Sequence, residues 1–237
     1  MKNHTLSLNV NGRMREIPVR IKSRERASSF RLWIDSDGAI ALSKPRSSSE
    51  SDALKFLDKN SAWVCEQLSA WKPKLKLSEW LAENPRLYAN GREWSVWVGS
   101  SRTSPFYVAD EGKSEIAFMA DSEEGLYSAL LKFASEKLSE DARAAAAKAG
   151  LTFKKLTVRD QGSRWASMST SGTLSVNWRV LLLEPRLQNY IICHELAHTK
   201  FMDHSVSFWI FLNKICPGAK KLDAGVTAMS ERLFSIA

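Results

Sequence analysis

The sequence predicts an α+β protein, in which a β-rich N-terminal region precedes a largely helical C-terminal core. Alternating apolar and polar residues flank Asn11-Gly12 and Asp37-Gly38, a pattern typical of β-hairpins. Near the other end, apolar residues recur at helical spacing before a His-Glu-x-x-His sequence at residues 194–198. With 237 residues, the chain is long enough for one large domain or two small ones.

Residues 1–84 are predicted to form a region of β-hairpins and a helix. The two hairpins occupy residues 5–45. From about residue 49 to residue 71, apolar side chains return every three or four positions, which predicts an amphipathic helix packed on the sheet. Residues 72–84 combine proline and charged residues without a clear period, so we expect a connection there.

Residues 85–150 are predicted to form a second β-rich unit with a long helix. Asn90-Gly91 marks another hairpin, and the following strands predict a small antiparallel sheet over residues 86–120. Asp121 or Ser122 can cap a helix that extends to about residue 149 and ends at Gly150. No internal repeat is visible in the sequence.

Residues 151–237 are predicted to form the third region, the core that contains the His-Glu-x-x-His sequence. Pro185 suits the first turn of its central helix because the fixed φ of proline matches helical geometry. The predicted elements are strands at 151–160 and 173–177, and helices at 185–198, 205–215 and 222–234.

Composition indicates an ordinary globular chain, with 44% hydrophobic and 25% charged residues. The three cysteines, Cys65, Cys193 and Cys216, are too few and too far apart for a disulfide framework, so we expect a reducing compartment. The N-terminus has no signal-peptide pattern, and no apolar run is long enough to span a bilayer. We therefore expect a soluble, cytoplasmic protein without a membrane partner.

The net charge of +8 and the pI of about 9.4 favour anionic partners such as nucleic acid. Lysine and arginine are spread along the chain, and such residues usually form a solvated surface. Both interpretations are compatible with the sequence.

Three of the four histidines lie within eleven residues, at positions 194, 198 and 204. In a helix His194 and His198 share one face, so both can offer an imidazole nitrogen to one Zn²⁺. Glu195 lies about 100° further round the helix, where its carboxylate can reach water in the open zinc position. The spacing therefore predicts a zinc site with Glu195 as a general base.

The third ligand is predicted to be His204, ten residues after His194. The known pattern with this spacing has glycine where Phe201 stands here, so the chain must turn differently, and Asp203 is the candidate for the bend. Glu231 is an alternative third ligand. A His-Glu-x-x-His sequence also arises by chance on exposed helices, but the apolar residues 190–193 before it predict a buried helix.

Other side chains near the motif have two interpretations each. Arg164 can contact a carbonyl or carboxylate of a substrate, or serve only packing and hydrogen bonding. Tyr190 can polarise a carbonyl group or belong to the core. We expect Phe208 and Trp209 to pack under the metal-binding helix, and Cys193 to be buried rather than a ligand.

Two stretches of the C-terminal region carry a family resemblance. Residues 194–209 read HELAHTKFMDHSVSFW, and residues 163–167 read SRWAS. They resemble the YgjP-like metallopeptidases, which are related to SprT-like proteases and have HELxH, Asn-His-Ser, Phe-Trp and SRWGS. Asp203 replaces the asparagine of that pattern, and Ala166 replaces its glycine. The resemblance is strong over about residues 155–217, weaker toward the N-terminus and loose over 72–150.

The resemblance implies a zincin-like catalytic core that hydrolyses peptide bonds with a zinc-activated water. The matching motif residues are Glu195 as catalytic base and His194, His198 and His204 as metal ligands. Arg164 and Tyr190 are candidate substrate contacts on their own chemistry. The alternative is a basic, nucleic-acid-associated protein, including a DNA-linked protease of the SprT-like type. Structural zinc sites usually have four protein ligands, often cysteines, so three histidines favour a catalytic site.

Overall fold

The computed structural model describes residues 3–35 and 37–236. The chain divides into two compact units, Met1–Lys74 and Leu75–Ala237. Both contain sheets and helices, so the predicted α+β class with a β-rich N-terminal region is confirmed. Within the described residues, no helix has the length and apolar composition required to cross a bilayer.

The first unit is a four-stranded sheet with two helices packed on one face. Its strands have the spatial order β1-β2-β4-β3, and the central pair β2 and β4 is parallel. The elements are β1 (Asn3–Val10), β2 (Arg13–Arg24), β3 (Arg31–Ile34), β4 (Ile40–Pro45), α1 (Glu50–Lys59) and α2 (Ser61–Ala70).

The hairpin turn at Asn11-Gly12 is confirmed. Its two residues have φ values of 55° and 77°, the left-handed conformation that a two-residue hairpin turn requires. The second hairpin also forms, because β3 and β4 pair antiparallel on either side of Gly38.

The prediction of a single helix from residue 49 to residue 71 is wrong, since α1 and α2 are separate helices. The side-chain amide of Asn60 donates to the carbonyl of Phe56 at 2.7 Å, and the backbone of Asn60 leaves the helical region. A side chain that bonds its own backbone competes with helix propagation, which accounts for the break. The N-terminus of α1 is capped by Ser49, whose side chain accepts from the amide of Asp52.

The second unit contains two sheets and the remaining helices. Its four-stranded sheet has the order β5-β6-β8-β7, and its three-stranded sheet has the order β10-β11-β9. The elements are α3 (Leu77–Glu83), β5 (Arg86–Ala89), β6 (Arg92–Gly99), β7 (Phe106–Asp110), β8 (Glu115–Met119), α4 (Glu123–Ala149), β9 (Lys155–Arg159), β10 (Ala166–Met168), β11 (Thr173–Asn177), a 3₁₀ helix (Trp178–Leu182), α5 (Pro185–Ala197), α6 (Val206–Ile215) and α7 (Ala219–Phe234).

Two expectations for the middle of the chain are corrected. Residues 72–84 are more than a connection, because they include α3, whose Leu77 and Leu81 are buried in the core of the second unit. The sheet over residues 86–120 is mixed rather than antiparallel, because β6 and β8 are parallel. Parallel strands are joined by a crossover connection rather than a tight turn, so the alternation of residues within each strand does not indicate which strands pair in parallel.

The boundaries of the compact units differ from the division into residues 1–84, 85–150 and 151–237. The observed boundary follows Lys74 because α3 packs with the second unit. Residues on both sides of position 150 share one hydrophobic cluster, in which Phe133 of α4 and Leu196 of α5 are both fully buried. The long helix α4 and helix α5, which contains His194, are therefore parts of one core.

The two four-stranded sheets have the same topology. In each, an antiparallel hairpin with an Asn-Gly turn is followed by a parallel and then an antiparallel pair. In each, a serine-capped helix follows the last strand, with Ser49 before α1 and Ser122 before α4. The structure thus contains a repeat that the sequence does not display.

Candidate metal centre

The helix α5 carries the first two histidines. Pro185 occupies its first turn, and its buried side chains include Ile191, Ile192 and Leu196. The helix ends at Ala197, so His198 is its C-terminal capping residue rather than an internal residue, although its backbone keeps helical angles. His194 and His198 therefore still lie one turn apart, with ring centroids separated by 5.1 Å.

His204 returns to the other two histidines after a short turn. One ligand nitrogen from each of the three rings lies within 4.8 Å of the others. The Nε2 atoms of His194 and His204 are 3.0 Å apart. In a tetrahedral site with Zn–N bonds of about 2.0–2.1 Å, ligand nitrogens are roughly 3.3 Å apart. The three imidazoles therefore fit one tetrahedral cation with a fourth position open.

The turn before His204 depends on side-chain hydrogen bonds. The Asp203 carboxylate accepts from the backbone amide of Ser205 at 3.2 Å. The hydroxyl of Ser205 then caps α6 by accepting from the amide of Phe208. Asp203 was expected to bend the chain, but it does so without left-handed backbone, since its φ is not positive.

Aromatic rings support the three imidazoles from α6. Phe208 is fully buried, and its ring centroid lies 5.0, 4.8 and 4.8 Å from those of His194, His198 and His204. Trp209 lies 6.4 Å from His194 and 6.5 Å from His204 by the same measure. The expected packing of these two residues beneath the helix that positions His194 and His198 is therefore present.

Hydrogen bonds from the outer ring nitrogens orient two of the histidines. Nδ1 of His198 lies 2.9 Å from the carbonyl oxygen of Phe201, which can only accept, so this nitrogen carries the proton. Nδ1 of His194 lies 3.2 Å from the hydroxyl of Tyr190. These contacts leave Nε2 of each ring for the metal, as is usual where a second group holds a histidine ligand.

Glu195 is 8% exposed and occupies the wall of a cavity beside His194. Burial raises the pKa of its carboxyl group to about 7, although a backbone hydrogen bond at Met168 and the positive charge of Arg164 oppose this shift. Burial also lowers the pKa of His194 to about 4, with further lowering by His198 and His204. In the metal-free protein both effects favour uncharged side chains.

Two cavities flank the centre. One of about 230 Å³ lies on the Glu195 side and is lined by apolar Trp165, Ala166, Ile191 and Val226 together with Arg164. The other, of about 310 Å³, lies beside His198 and includes Phe153, Met168 and Met202. Strand β10 contributes Ala166 to the first cavity and Met168 to the second, and it is the edge strand of its sheet.

Of the remaining candidate residues, two lie beside the histidine cluster and two lie outside it. Arg164 is exposed and lines the cavity of Glu195. Tyr190 is 2% exposed, and its hydroxyl is engaged by His194 and Asp223. Glu231 is exposed on α7 and outside the group of ligand atoms. Cys193 is buried and likewise outside that group.

Sequence reasoning missed two residues that support the site. Asp223 on α7 accepts a hydrogen bond from Tyr190 at 2.8 Å. Asn177 at the end of β11 donates to the carbonyls of Gln161 and Arg164, and so holds the loop before β10. No local spacing links Asp223 to Tyr190, 33 positions earlier, or Asn177 to the loop that it holds.

A family model described as YgjP-like, metallopeptidase domain matches residues 28–226. The matched range includes parts of both compact units, the three histidines and Glu195.

Among solved structures, the chain is similar to the crystal structure of the metallopeptidase zymogen of Pyrococcus abyssi abylysin. The identity is 29%, the TM-score is 0.36, and the match covers 40% of this chain and 93% of the other. This overlap concerns a minor part of the chain and does not define its overall fold. No curated protein gives a significant match.

Proposed function

Since the chain belongs to the YgjP-like metallopeptidase family, we propose that it is a zinc-dependent peptidase of the His-Glu-x-x-His type. The observation that carries this proposal is the convergence of three imidazoles beside a buried glutamate. His194, His198 and His204 bring their ligand nitrogens within 4.8 Å of one another, and Glu195 is adjacent to the first of them.

The choice of Zn²⁺ is supported by the chemistry of the donors. Three neutral imidazoles with one open position are typical of catalytic zinc, whereas closed sites usually have four protein ligands. When bound, Zn²⁺ would polarise the scissile carbonyl and lower the pKa of a coordinated water. Hydrogen bonds from His194 and His198 support this ligand set by leaving both Nε2 atoms available.

Glu195 is proposed to move the proton. Its carboxylate takes the proton from the attacking water and delivers it to the amine that leaves. In the metal-free protein, burial raises the pKa of this carboxyl group to about 7. The proposal is supported by the position of Glu195, which lines the same cavity as His194.

The substrate is proposed to be a polypeptide in extended conformation. An edge strand has unpaired backbone groups that can bind an added strand, and β10 passes between the two cavities. Apolar walls on the Glu195 side suit an apolar side chain of the substrate. Arg164 is positioned to contact a carbonyl or carboxylate of the substrate, whereas Tyr190, with its hydroxyl engaged, fits a supporting role better.

The zinc site is tested by metal content and affinity. The parent protein should bind one zinc per chain, and His204→Ala should weaken binding by a factor of about 100 or more because one of three ligands is lost. Glu231→Ala is the matched control and should bind zinc like the parent, since its side chain is exposed and outside the cluster. Unchanged affinity in His204→Ala, or a loss in Glu231→Ala, would contradict the ligand assignment.

A second candidate function is association with nucleic acid. Residues 1–74 contain fourteen Lys and Arg against eight Asp and Glu, so they contribute +6 of the net charge of +8. This concentration in the first unit favours an anionic partner there. The activity and the nucleic-acid contact would then reside in different units.

A cytoplasmic location stays a prediction, consistent with the free thiols of Cys65, Cys193 and Cys216.

A further inference from the structure

The side chain of Tyr190 lies between a metal ligand and a carboxylate. Its hydroxyl oxygen is 2.8 Å from Oδ1 of Asp223 and 3.2 Å from Nδ1 of His194. Tyr190 is 2% exposed, so protein groups rather than bulk water must satisfy this hydroxyl.

The direction of these hydrogen bonds follows from the number of protons. A tyrosine hydroxyl has one proton, and a carboxylate can only accept, so the shorter contact is a donation from Tyr190 to Asp223. The hydroxyl oxygen then has lone pairs left for His194, whose Nδ1 must donate. A neutral imidazole with its proton on Nδ1 has Nε2 free to bind a cation.

We propose that Asp223 is a positioning residue for the metal centre, which acts through Tyr190 to hold His194 in the ring orientation and tautomer that zinc binding requires. The inference rests on the proposed function, because it takes the three histidines as zinc ligands. Carboxylates commonly hold a histidine ligand directly, and here a tyrosine is inserted between the two groups.

A glycine on α7 allows close packing against α5 near this contact. Gly225 lies two residues after Asp223, and a Cβ atom at this position would meet Cδ2 of Leu187 at 3.1 Å. Leu187 is one turn before Tyr190 on α5. A glycine at this point therefore lets α7 approach α5 closely enough for the short side chain of Asp223 to reach the tyrosine hydroxyl.

The test compares zinc affinity in variants that keep side-chain shape. Tyr190→Phe removes the bridging hydroxyl. Asp223→Asn introduces an amide that can donate a hydrogen bond to Tyr190. The tyrosine hydroxyl would then donate to Nδ1 of His194, and the imidazole proton would move to Nε2, the nitrogen needed for the metal. Each change should weaken zinc binding by about 10- to 100-fold, the range found for lost supporting contacts of histidine ligands. Competition with a chelator of known affinity measures this loss.

The double variant distinguishes positioning from independent structural effects. If Asp223 acts through Tyr190, Asp223→Asn should add nothing to the loss of zinc affinity already caused by Tyr190→Phe. The Co²⁺-loaded single variants should also share the same change in their visible absorption spectrum, since both disturb the same ligand.

Matched controls are Tyr107→Phe and Glu136→Gln. Tyr107 donates its hydroxyl proton to the exposed carboxylate of Glu136. Tyr107→Phe therefore removes the same kind of bond elsewhere in the second unit, and Glu136→Gln replaces the accepting carboxylate by an amide, as Asp223→Asn does. Both controls should retain the zinc affinity of the parent within about twofold, because a change at a site that shares no contacts with the ligands acts independently of them.

Specific outcomes would overturn the proposal. If Asp223→Asn keeps the zinc affinity of a parent that binds zinc and cleaves peptides, Asp223 has no positioning role while the proposed function stands. Additive losses in the double variant would likewise overturn it. If the parent binds no zinc, the proposed function fails together with this inference. Should Tyr190→Phe fail to fold, Asp223→Asn decides alone, because its side chain is exposed.

Discussion

At the scale of single residues, the neighbours His194 and Glu195 respond to the same burial in opposite directions. Burial raises the pKa of the glutamate to about 7 and lowers that of the histidine to about 4, because a low-dielectric environment disfavours either charge. The histidine is thus neutral and ready to bind a cation, while the glutamate can exchange a proton near neutral pH.

The raised pKa of Glu195 predicts how stability of the metal-free protein depends on pH. The folded-state pKa of about 7 exceeds the ordinary value of 4.5, so folding is favoured while the group is protonated. This contribution is complete below about pH 4.5 and is lost as the pH rises through 7. Glu195→Gln lacks this titrating group. As the pH rises across this range, the free energy of unfolding of the variant should therefore increase relative to that of the parent by up to about 3 kcal/mol.

Urea denaturation with a chelator, from pH 4.5 to 8.5, measures this difference in the free energy of unfolding. The titration of His194 is common to both proteins and cancels in the comparison. Parallel pH profiles for parent and variant would show that the burial of Glu195 does not shift its pKa.

At the scale of helices and strands, turn and capping residues correctly predicted the hairpin turns and helix ends in which they themselves lie. The left-handed Asn90 and Gly91 form the expected hairpin turn, and Ser122 and Gly150 bound α4 as expected. Strand β10 was missed because it has three residues and depends on pairing with β11. Such an element is stabilised by partners elsewhere in the chain, and its own sequence gives little indication of it.

The junction between β11 and the loop before β10 is predicted to depend on Asn177, which is fully buried. Its side chain donates to the carbonyls of Gln161 at 2.7 Å and Arg164 at 2.9 Å, and accepts from the amide of Arg179. Asn177→Ala leaves these groups unpaired, so we expect a loss of at least about 2 kcal/mol in the free energy of unfolding.

Chemical denaturation tests this expectation against Asn213→Ala. The side chain of Asn213 accepts one hydrogen bond, from the amide of Gly218, at an exposed position. Its removal should cost less than about 1 kcal/mol. Equal losses in the two variants would contradict the role of Asn177 in holding the loop that carries Arg164.

At the scale of the whole molecule, the sequence predicted the convergence of the three histidines better than it predicted the arrangement of the fold. His194, His198 and His204 converge because helix spacing and one short turn suffice to bring them together. The repeated sheet topology was not visible, since pairing order is set by contacts between distant segments. Asp223 was not predicted for the same reason.

The basic surplus in residues 1–74 predicts where nucleic acid would bind. Lys22 and Arg31 flank Ser43 across adjacent strands of the first sheet, and Arg24 follows on the same face as Lys22. All three basic side chains are exposed. Reversing them to glutamate should weaken DNA binding and reduce the slope of log affinity against log salt by about three, one for each lost phosphate contact.

Charge reversal at Lys113, Lys155 and Lys214 is the control, because these exposed lysines belong to the second unit and change the net charge equally. Salt titrations of DNA binding should show a smaller effect for the control. Equal effects would contradict a site on the first sheet. A parent that does not bind DNA at all would exclude the nucleic-acid function and leave the peptidase proposal intact.

The most direct test of the central claim is the peptidase turnover of Glu195→Gln, measured with its zinc content on an unfolded protein substrate that the parent cleaves. The variant keeps the size of the side chain and removes the base. We predict one bound zinc per chain, as in the parent, and a turnover lower by a factor of about 100 or more. Zinc-loaded Glu195→Gln with the turnover of the parent would contradict the account.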